Sequence, residues 1–396
     1  MKQKKREPAV SIRGRRRIPA VGALTILAGL GLGSIGASPT NAATANVPSA
    51  ASSGVATAKQ LVAAAMADPS WTTPGAAFKA SSARGDLVYD IANSLQLGFT
   101  QTLVAGTEAG LHAAGVKVVV VDNKADVSET ARLIQQAIGQ HAKAIIVQSQ
   151  PASLISAPLK AAKAAHIPVI ELFEGDPQLP PSSEQALGVY GEVTFCYSCG
   201  GKLLADWAIA DTNGHVDGVT YWDSDVGASY AENQGERAEF ARLSPTSHIT
   251  FQNVLVADWA TQIPTLTQSD LLNHAINYLL PNYDEMATYM IPSVEAASAA
   301  GRVKIASFNA NADILKDLVD HDVVVADIGS PVGWMGWAVA DQTLRALTGT
   351  APVASENVPL RLFSAANIGS ININKPESTW YGVNYPAKFE QLWGLG

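Results

Sequence analysis

The sequence predicts an α/β protein built as two similar lobes in tandem, each a parallel sheet flanked by helices. Three observations carry that expectation. Short apolar runs alternate with amphipathic stretches of roughly ten to fifteen residues, in two successive sets. One run, Lys117–Val121, is almost pure valine, as expected of a strand buried on both faces. The 396 residues exceed a single domain at roughly 150 residues each. The composition agrees: 47% hydrophobic and 16% charged, with 32 Gly and 21 Pro, it excludes a disordered, collagen-like or disulfide-dense chain.

The first 45 residues read as an address. They hold eight bases (Lys2, Lys4, Lys5, Arg6, Arg13, Arg15, Arg16, Arg17) and one acid, Glu7. A basic run ending at Arg17, an uncharged stretch Ile18–Ala37 and a small-residue site at Ala43-Thr44-Ala45 have the layout of a secretory signal peptide, cleaved near Ala45. The alternative is an uncleaved anchor, since Ile18–Ala37 is just long enough to span a membrane. Gly31-Leu32-Gly33-Ser34-Ile35-Gly36 spells a dinucleotide-binding pattern, but it follows no strand and opens no βαβ unit, so chance explains it.

Residues 46–85 are rich in Ala, Ser, Thr and Pro and read as an arm or linker, with one helical stretch near Lys59–Met66. The alternation then begins. Strands are expected at Leu87–Ile91, Lys117–Val121, Ala144–Val147, Pro168–Leu172 and Leu187–Tyr190, with helices at Phe99–Ala114, Ser128–Gly139 and Leu154–Ala165. The second set has strands at Val219–Trp222, Ile249–Val256, Ile276–Leu280, Val303–Phe308 and Val323–Ile328. Its helices are Tyr230–Leu243, Ile263–Asn273, Glu285–Ala300 and Ala312–Val319. Open parallel sheets bind ligands beyond the carboxyl ends of their strands, so two facing lobes predict a site in the cleft between them.

Charge and motifs narrow the function. Beyond residue 45 the chain carries 19 bases against 34 acids, a formal −15. So acidic a body repels phosphate backbones, and nucleic acid is excluded as a general partner. No G-x-S-x-G, P-loop or H-E-x-x-H is present and the seven histidines are scattered, so no catalytic residue, metal or cofactor is expected. Asp223 and Asp225 lie in a loop with too few oxygens in view for calcium. Cys196 and Cys199 are the only cysteines. A structural disulfide is the first expectation in an exported chain, ahead of redox chemistry or a metal.

The order of several motifs is more specific. Gly106 to Gly110, Gly115 to Asp122, Lys143 to Val147 and Lys160 to Ile170 come first. Gly200-Gly201-Lys202, Asp284-Glu285-Met286-Ala287, Ala300-Gly301, Ser307-Phe308-Asn309 and Gly333 to Gly349 follow. Over residues 86–365 the chain resembles the solute-binding proteins of bacterial ABC importers, in the ribose- and galactose-binding class of type I periplasmic binding proteins. The resemblance implies two Rossmann-like lobes joined by a three-segment hinge. By position the crossings fall near Thr194, Ser330 and Pro359. Residues 86–194 with 331–359 then make lobe 1, and 195–330 with 360–396 make lobe 2 and a C-terminal extension. It further implies a clamp that closes on its ligand and presents it to the importer's membrane subunits. A monomer with no enzymatic activity is expected.

The resemblance also carries ligand positions, one at a time. They are Gln96 and Phe99 after the first strand, Gln148 after the third, Trp259 and the pair Asn282 and Tyr283 in the second lobe, Asn309 after Phe308, and Ser330 at the hinge. Aromatics there can stack on a sugar ring and amides suit hydroxyls. Two departures stand out. The family's sugar-clamping Asp is replaced by Phe173, followed by Glu174, and its facing Arg is absent from a helix that shows Gln234 and Glu236. Bidentate carboxylate and guanidinium groups commonly hold vicinal hydroxyls. Losing both points toward a flatter or less hydroxylated ligand, and Glu174, Asp223 and Asp225 leave room for a cationic group. The expected role is therefore capture of a small polar solute, a sugar or sugar-like molecule. The alternatives are an aromatic or cationic solute, or a sensor that presents its ligand to a membrane receptor.

Overall fold

The structure, a computed structural model, describes residues 50–178, 187–224, 226–320 and 323–396. The readings made on residues 1–45, and on Asp225, lie outside the described residues.

The chain enters as α1 (Ala50–Met66) and continues to β1 (Leu87–Ala92), α2 (Gly98–Ala113), β2 (Lys117–Asp122), α3 (Val127–Gly139), β3 (Ala144–Gln148), α4 (Ser156–Ala164), β4 (Val169–Leu172) and β5 (Gly191–Val193). The five strands form one sheet in the order β2-β1-β3-β4-β5, every pair parallel. β1 and β3 are nearly or wholly buried, as central strands of a covered sheet must be. The valine run is different. β2 is an edge strand, half-buried along most of its length, rather than buried on both faces as its composition suggests. Valine satisfies either environment, so sequence cannot separate them.

The second set runs α5 (Tyr197–Asp211), β6 (Asp217–Trp222), α6 (Gly227–Leu243), β7 (His248–Asn253), α7 (Trp259–Leu271), β8 (Tyr278–Pro281), α8 (Asp284–Ala296), β9 (Lys304–Asn309), α9 (Ala312–Asp320), β10 (Val324–Gly329), α10 (Val332–Thr348), β11 (Arg361–Ser364) and α11 (Tyr385–Leu392). Its sheet has the order β11-β10-β9-β8-β6-β7, parallel except for β11 against β10. The chain passes from the first sheet toward the second between Val193 and Tyr197. It returns between Gly329 and Val332, where α10 packs on α2, and passes again between Thr348 and Arg361.

Both ends of the described chain add passages of their own. α1 packs on α5 and α6 of the second lobe before the chain reaches β1. α11, grouped with the second lobe from the sequence, packs instead on α2 and α10 of the first. The reason is aromatic. Trp393 stacks on Trp337 at 5.5 Å, Tyr385 stacks on Trp334 at 5.1 Å, and Trp71 stacks on the other side of the cluster, 5.7 Å from Trp334.

Close backbone approach fixes the second lobe. A Cβ on Gly201 would lie 1.9 Å from the Glu232 carbonyl oxygen, and one on Gly235 would lie 2.1 Å from that of Ser198. Paired glycines therefore let α5 and α6 touch backbone to backbone. Gly201→Ala is expected to lose about 1–3 kcal/mol by forcing the helices apart. A urea midpoint equal to wild type would refute this.

Candidate functional site

In each sheet the strand order reverses once. β1 lies between β2 and β3, and β6 between β7 and β8, so the crevices open at the carboxyl ends of β1/β3 and of β6/β8. At the first, the Gln148 side-chain carbonyl accepts from the Asn93 N–H (3.3 Å), and its amide nitrogen donates to Asp90 Oδ1 (3.0 Å). Burial pushes the Asp90 carboxyl up to about 7, against the pull of Gln148. At the second, the Asn282 N–H donates to the Tyr221 carbonyl (3.0 Å), which sets Asn282 and Tyr283 beside the Trp222–Asp223 turn.

The backbone bends sharply at or just beyond the ends of β1, β3, β4 and β9. Ser94, Ser149 and Phe173 have φ of 64°, 49° and 69°, and Asn309 and Ala310 have 126° and 57°. Left-handed conformations at non-glycine residues carry strain of about 1–3 kcal/mol each and concentrate at functional sites.

An aromatic chain crosses between the lobes. Phe99 meets Phe173 edge-on at 5.5 Å, and Phe173 stacks on Phe195 at 6.0 Å. Phe195 meets Tyr197 at 6.0 Å, and Tyr197 meets Phe308 at the same distance. Phe99 and Phe173 belong to the first lobe, Phe195 to the crossing segment, and Tyr197 and Phe308 to the second. Asp176 anchors the crossing: its carboxylate accepts from the Ser198 N–H (2.7 Å) and hydroxyl (3.0 Å) at the start of α5, where the helix dipole favours an anion. Glu192 accepts from the Gly175 N–H. Cys196 and Cys199 are bonded across this same first turn, with a Cα–Cα distance of 5.1 Å.

Acids from both lobes surround the tyrosines. Burial pushes the Tyr197 phenol up, and the charges of Glu232, Glu174, Asp176 and Glu192 add to the shift. Burial does the same to Tyr283, with Glu232, Tyr197, Asp223 and Glu285 adding. Glu232 is fully buried on α6. Burial holds its carboxyl well above the usual range, Glu236 raises it further and the Asn282 amide offsets part of this.

The sequence-derived positions separate into groups. Phe99 meets Phe173 and Glu174 follows it in the first lobe, while Asn282 and Tyr283 lie near Glu232 in the second, with Asn309 next to Phe308. Trp259 opens α7, donates to the Val254 carbonyl (2.9 Å) and lies 5.9 Å from Tyr283. Gln148 is buried at the β1/β3 crevice, its amide already held at both ends. Gln96 is exposed on the loop before α2. Ser330 is buried between β10 and α10. Glu232 and Tyr197 escaped the sequence reading, which stopped at Gln234 and Glu236. The signal was present: Glu232 precedes Glu236 by one helical turn and shares its face, and both are fully buried. A hollow of about 520 Å³ elsewhere in the second lobe is lined by Val319, Ile368, Ile371, Asn372 and Ile373. It offers no charge and lacks the convergent polar groups of a ligand site.

Residues 91–351 match the family model described as periplasmic binding protein domain. The chain belongs to this family. The match spans both sheets, so the binding protein keeps the family's two-lobed type I fold, as the sequence resemblance implied. It is 24% identical over 289 residues to the ribose import binding protein of Bacillus subtilis (strain 168), covering 72% of this chain and 89% of that one. The structure of a periplasmic ribose ABC transporter protein from Conexibacter woesei superposes with a TM-score of 0.63 at 19% identity, covering 75% of this chain and 96% of that one. The Caulobacter myo-inositol binding protein, solved with myo-inositol, gives a TM-score of 0.60 at 20% identity, covering 75% and 98%. Membership places the binding protein among solute-binding components of ABC import, in a family of exported proteins rather than enzymes.

Proposed function

We propose that this protein captures a small polar solute, a sugar or sugar-like molecule, between its lobes and delivers it unchanged to the membrane subunits of an ABC importer. It acts outside the cytoplasmic membrane as a monomer, after cleavage near Ala45. The observation that carries the reading is the meeting of strand ends from both lobes around one aromatic chain, Phe99–Phe173–Phe195–Tyr197–Phe308. A ligand seated there touches both lobes, so it binds the closed form better than the open one and draws the hinge shut. Phe99, Phe173, Trp259 and Tyr283 supply ring faces, Asn282 and Asn309 supply amides, and Glu174 supplies charge. Gln148 positions Asp90 and the Asn93 loop, Gln96 borders the mouth and Ser330 lies in the hinge.

The reading is tested by thermal shift on protein unfolded and refolded to strip bound ligand, against sugars, polyols, amino sugars, amines and aromatic acids. A ligand at 100 times its Kd adds about 2.7 kcal/mol, a rise of a few degrees at this size. The ligand should be recovered chemically unchanged. No shift with any solute, or conversion of the solute, would overturn the reading.

A further inference from the structure

The capture reading leaves the ligand's charge open, and the acids around Tyr197 and Tyr283 bear on it. The charges acting on these two phenols come from Glu174, Asp176 and Glu192 of the first lobe and Glu232, Asp223 and Glu285 of the second. All are acidic. Glu236, one turn along α6, has Arg237 to oppose it, but no lysine or arginine acts on Glu232, Tyr197 or Tyr283 among the described residues. Glu232 is fully buried, and neither of its carboxylate oxygens makes a hydrogen bond of good geometry. The same is true of the buried Tyr283 hydroxyl. Burying a carboxylate this way is costly unless a cation joins it. A metal ion is the poorer match, because no three His, Cys, Asp or Glu side chains converge as ligands among the described residues. The ring faces of Tyr197 and Tyr283 suit an organic cation, which aromatic quadrupoles attract.

We infer that the ligand is a hydroxylated solute bearing a protonated amine, an amino sugar or amino polyol, whose ammonium group is held by Glu232 of the second lobe and Glu174 of the first against the two tyrosines. This rests on the capture reading; the amine is the new element. It accounts for two departures from the related sugar binders together. A glutamate follows Phe173, where a clamping carboxylate is lost, and the absent arginine is answered by an acid on the same helix. It also predicts a proton exchange. The groups facing Glu232 are Glu236 on its own helix, Tyr197 from α5, and Asn282 and Tyr283 from the β8–α8 turn, none of them cationic. Without a cation, burial and the neighbouring Glu236 favour the protonated form of Glu232. An ammonium group restores its charge, so binding releases a proton to the buffer.

The test uses matched pairs: glucosamine against glucose and against N-acetylglucosamine, galactosamine against galactose, and glucamine against sorbitol. Each is titrated calorimetrically into the stripped protein, in two buffers of different ionisation enthalpy. At least one amine should bind tenfold or more tighter than its neutral partner and release a proton. Glu232→Gln, close in shape to the protonated acid, should bring the pair to near parity and remove the proton release. If Glu232→Gln does not fold, Glu174→Gln, in a half-buried loop, carries the test and should cut the preference severalfold. A neutral member that binds as tightly as its amine overturns the charge assignment and leaves solute capture standing. An amine preference untouched in a folded variant overturns the residue assignment. Binding of neither member in any pair, with no hit in the broader thermal screen, overturns both readings.

Discussion

Arg345→Met is expected to cost the folded protein about 3–5 kcal/mol, the usual price of removing one partner from a buried ion pair. Arg345 is 2% exposed on α10. Its Nε donates to Asp341 Oδ2 (2.6 Å), a terminal nitrogen reaches the Ala76 carbonyl (3.5 Å), and its guanidinium lies 4.8 Å from the centre of the Phe78 ring. Asp341 also accepts from the Trp393 indole N–H (2.6 Å). Glu356 is fully buried beside the pair, and burial followed by the Asp341 charge holds its carboxyl well above the usual range. One guanidinium therefore sits between two buried acids and ties together the segment before β1, α10 and the chain end. Methionine fills much of the volume but leaves the buried Asp341 without its cation. Urea unfolding of the variant measures the loss, and a midpoint within experimental error of wild type would refute it.

Stability should fall as pH rises from 5 to 8, unlike proteins whose acids are mostly salt-bridged. Burial pushes Asp90, Asp327 and Glu377 up to about 7, and Asp206 up to about 8. It also holds Glu232, Glu236, Asp284 and Glu356 well above their ordinary values. The unfolded chain releases these protons near 4, while the folded protein keeps them. Folded protein thus binds more protons across this window, and stability drops with rising pH. The contribution is fully present below about pH 4 and lost as pH passes through about 7–8. Asp90 and Glu377 alone give roughly 2.7 kcal/mol per pH unit between about 5 and 7. Calorimetry in matched buffers should find the melting temperature falling by several degrees over that range. A melting temperature that rises from pH 5 to 8 would show that burial does not govern these acids.

Much of the fold was legible because period and length are local properties. Ser128–Gly139 reads as an amphipathic helix, and α3 spans Val127–Gly139, closed at its start by Asp126 accepting from the Glu129 N–H (2.9 Å). Val303–Phe308 reads as a strand, and β9 spans Lys304–Asn309. The last strand of the first lobe lies one step further along the chain than its apolar run suggests. Leu187–Tyr190 is apolar enough for a strand, yet β5 is the next three residues, Gly191–Val193, because pairing with Ile170–Leu172 decides which residues join the sheet.

The site was less legible. Phe99, Phe173 and Tyr283 could be named because positions in a known pattern carry them, but their partners could not. Phe195, Tyr197 and Phe308 are separated by up to 113 residues, and their ring contacts at about 6 Å exist only once α5 packs against the second sheet. Glu232 is one of several acids on α6, and only its complete burial, with the Asn282 amide acting on it, sets its chemistry apart.

The sequence by itself determined two α/β lobes, an acidic body, the absence of any recognised catalytic motif and the pair of cysteines, since these follow from periodicity, composition and spacing. Tertiary structure decided which strand lies at the edge, that α11 returns to the first lobe, and that acids from both lobes act on Tyr197 with no cation beside them among the described residues. Those outcomes depend on burial and on distances between residues far apart in the chain. Neither quantity is fixed until the backbone closes and water is excluded, and both then set how strongly each charge is felt.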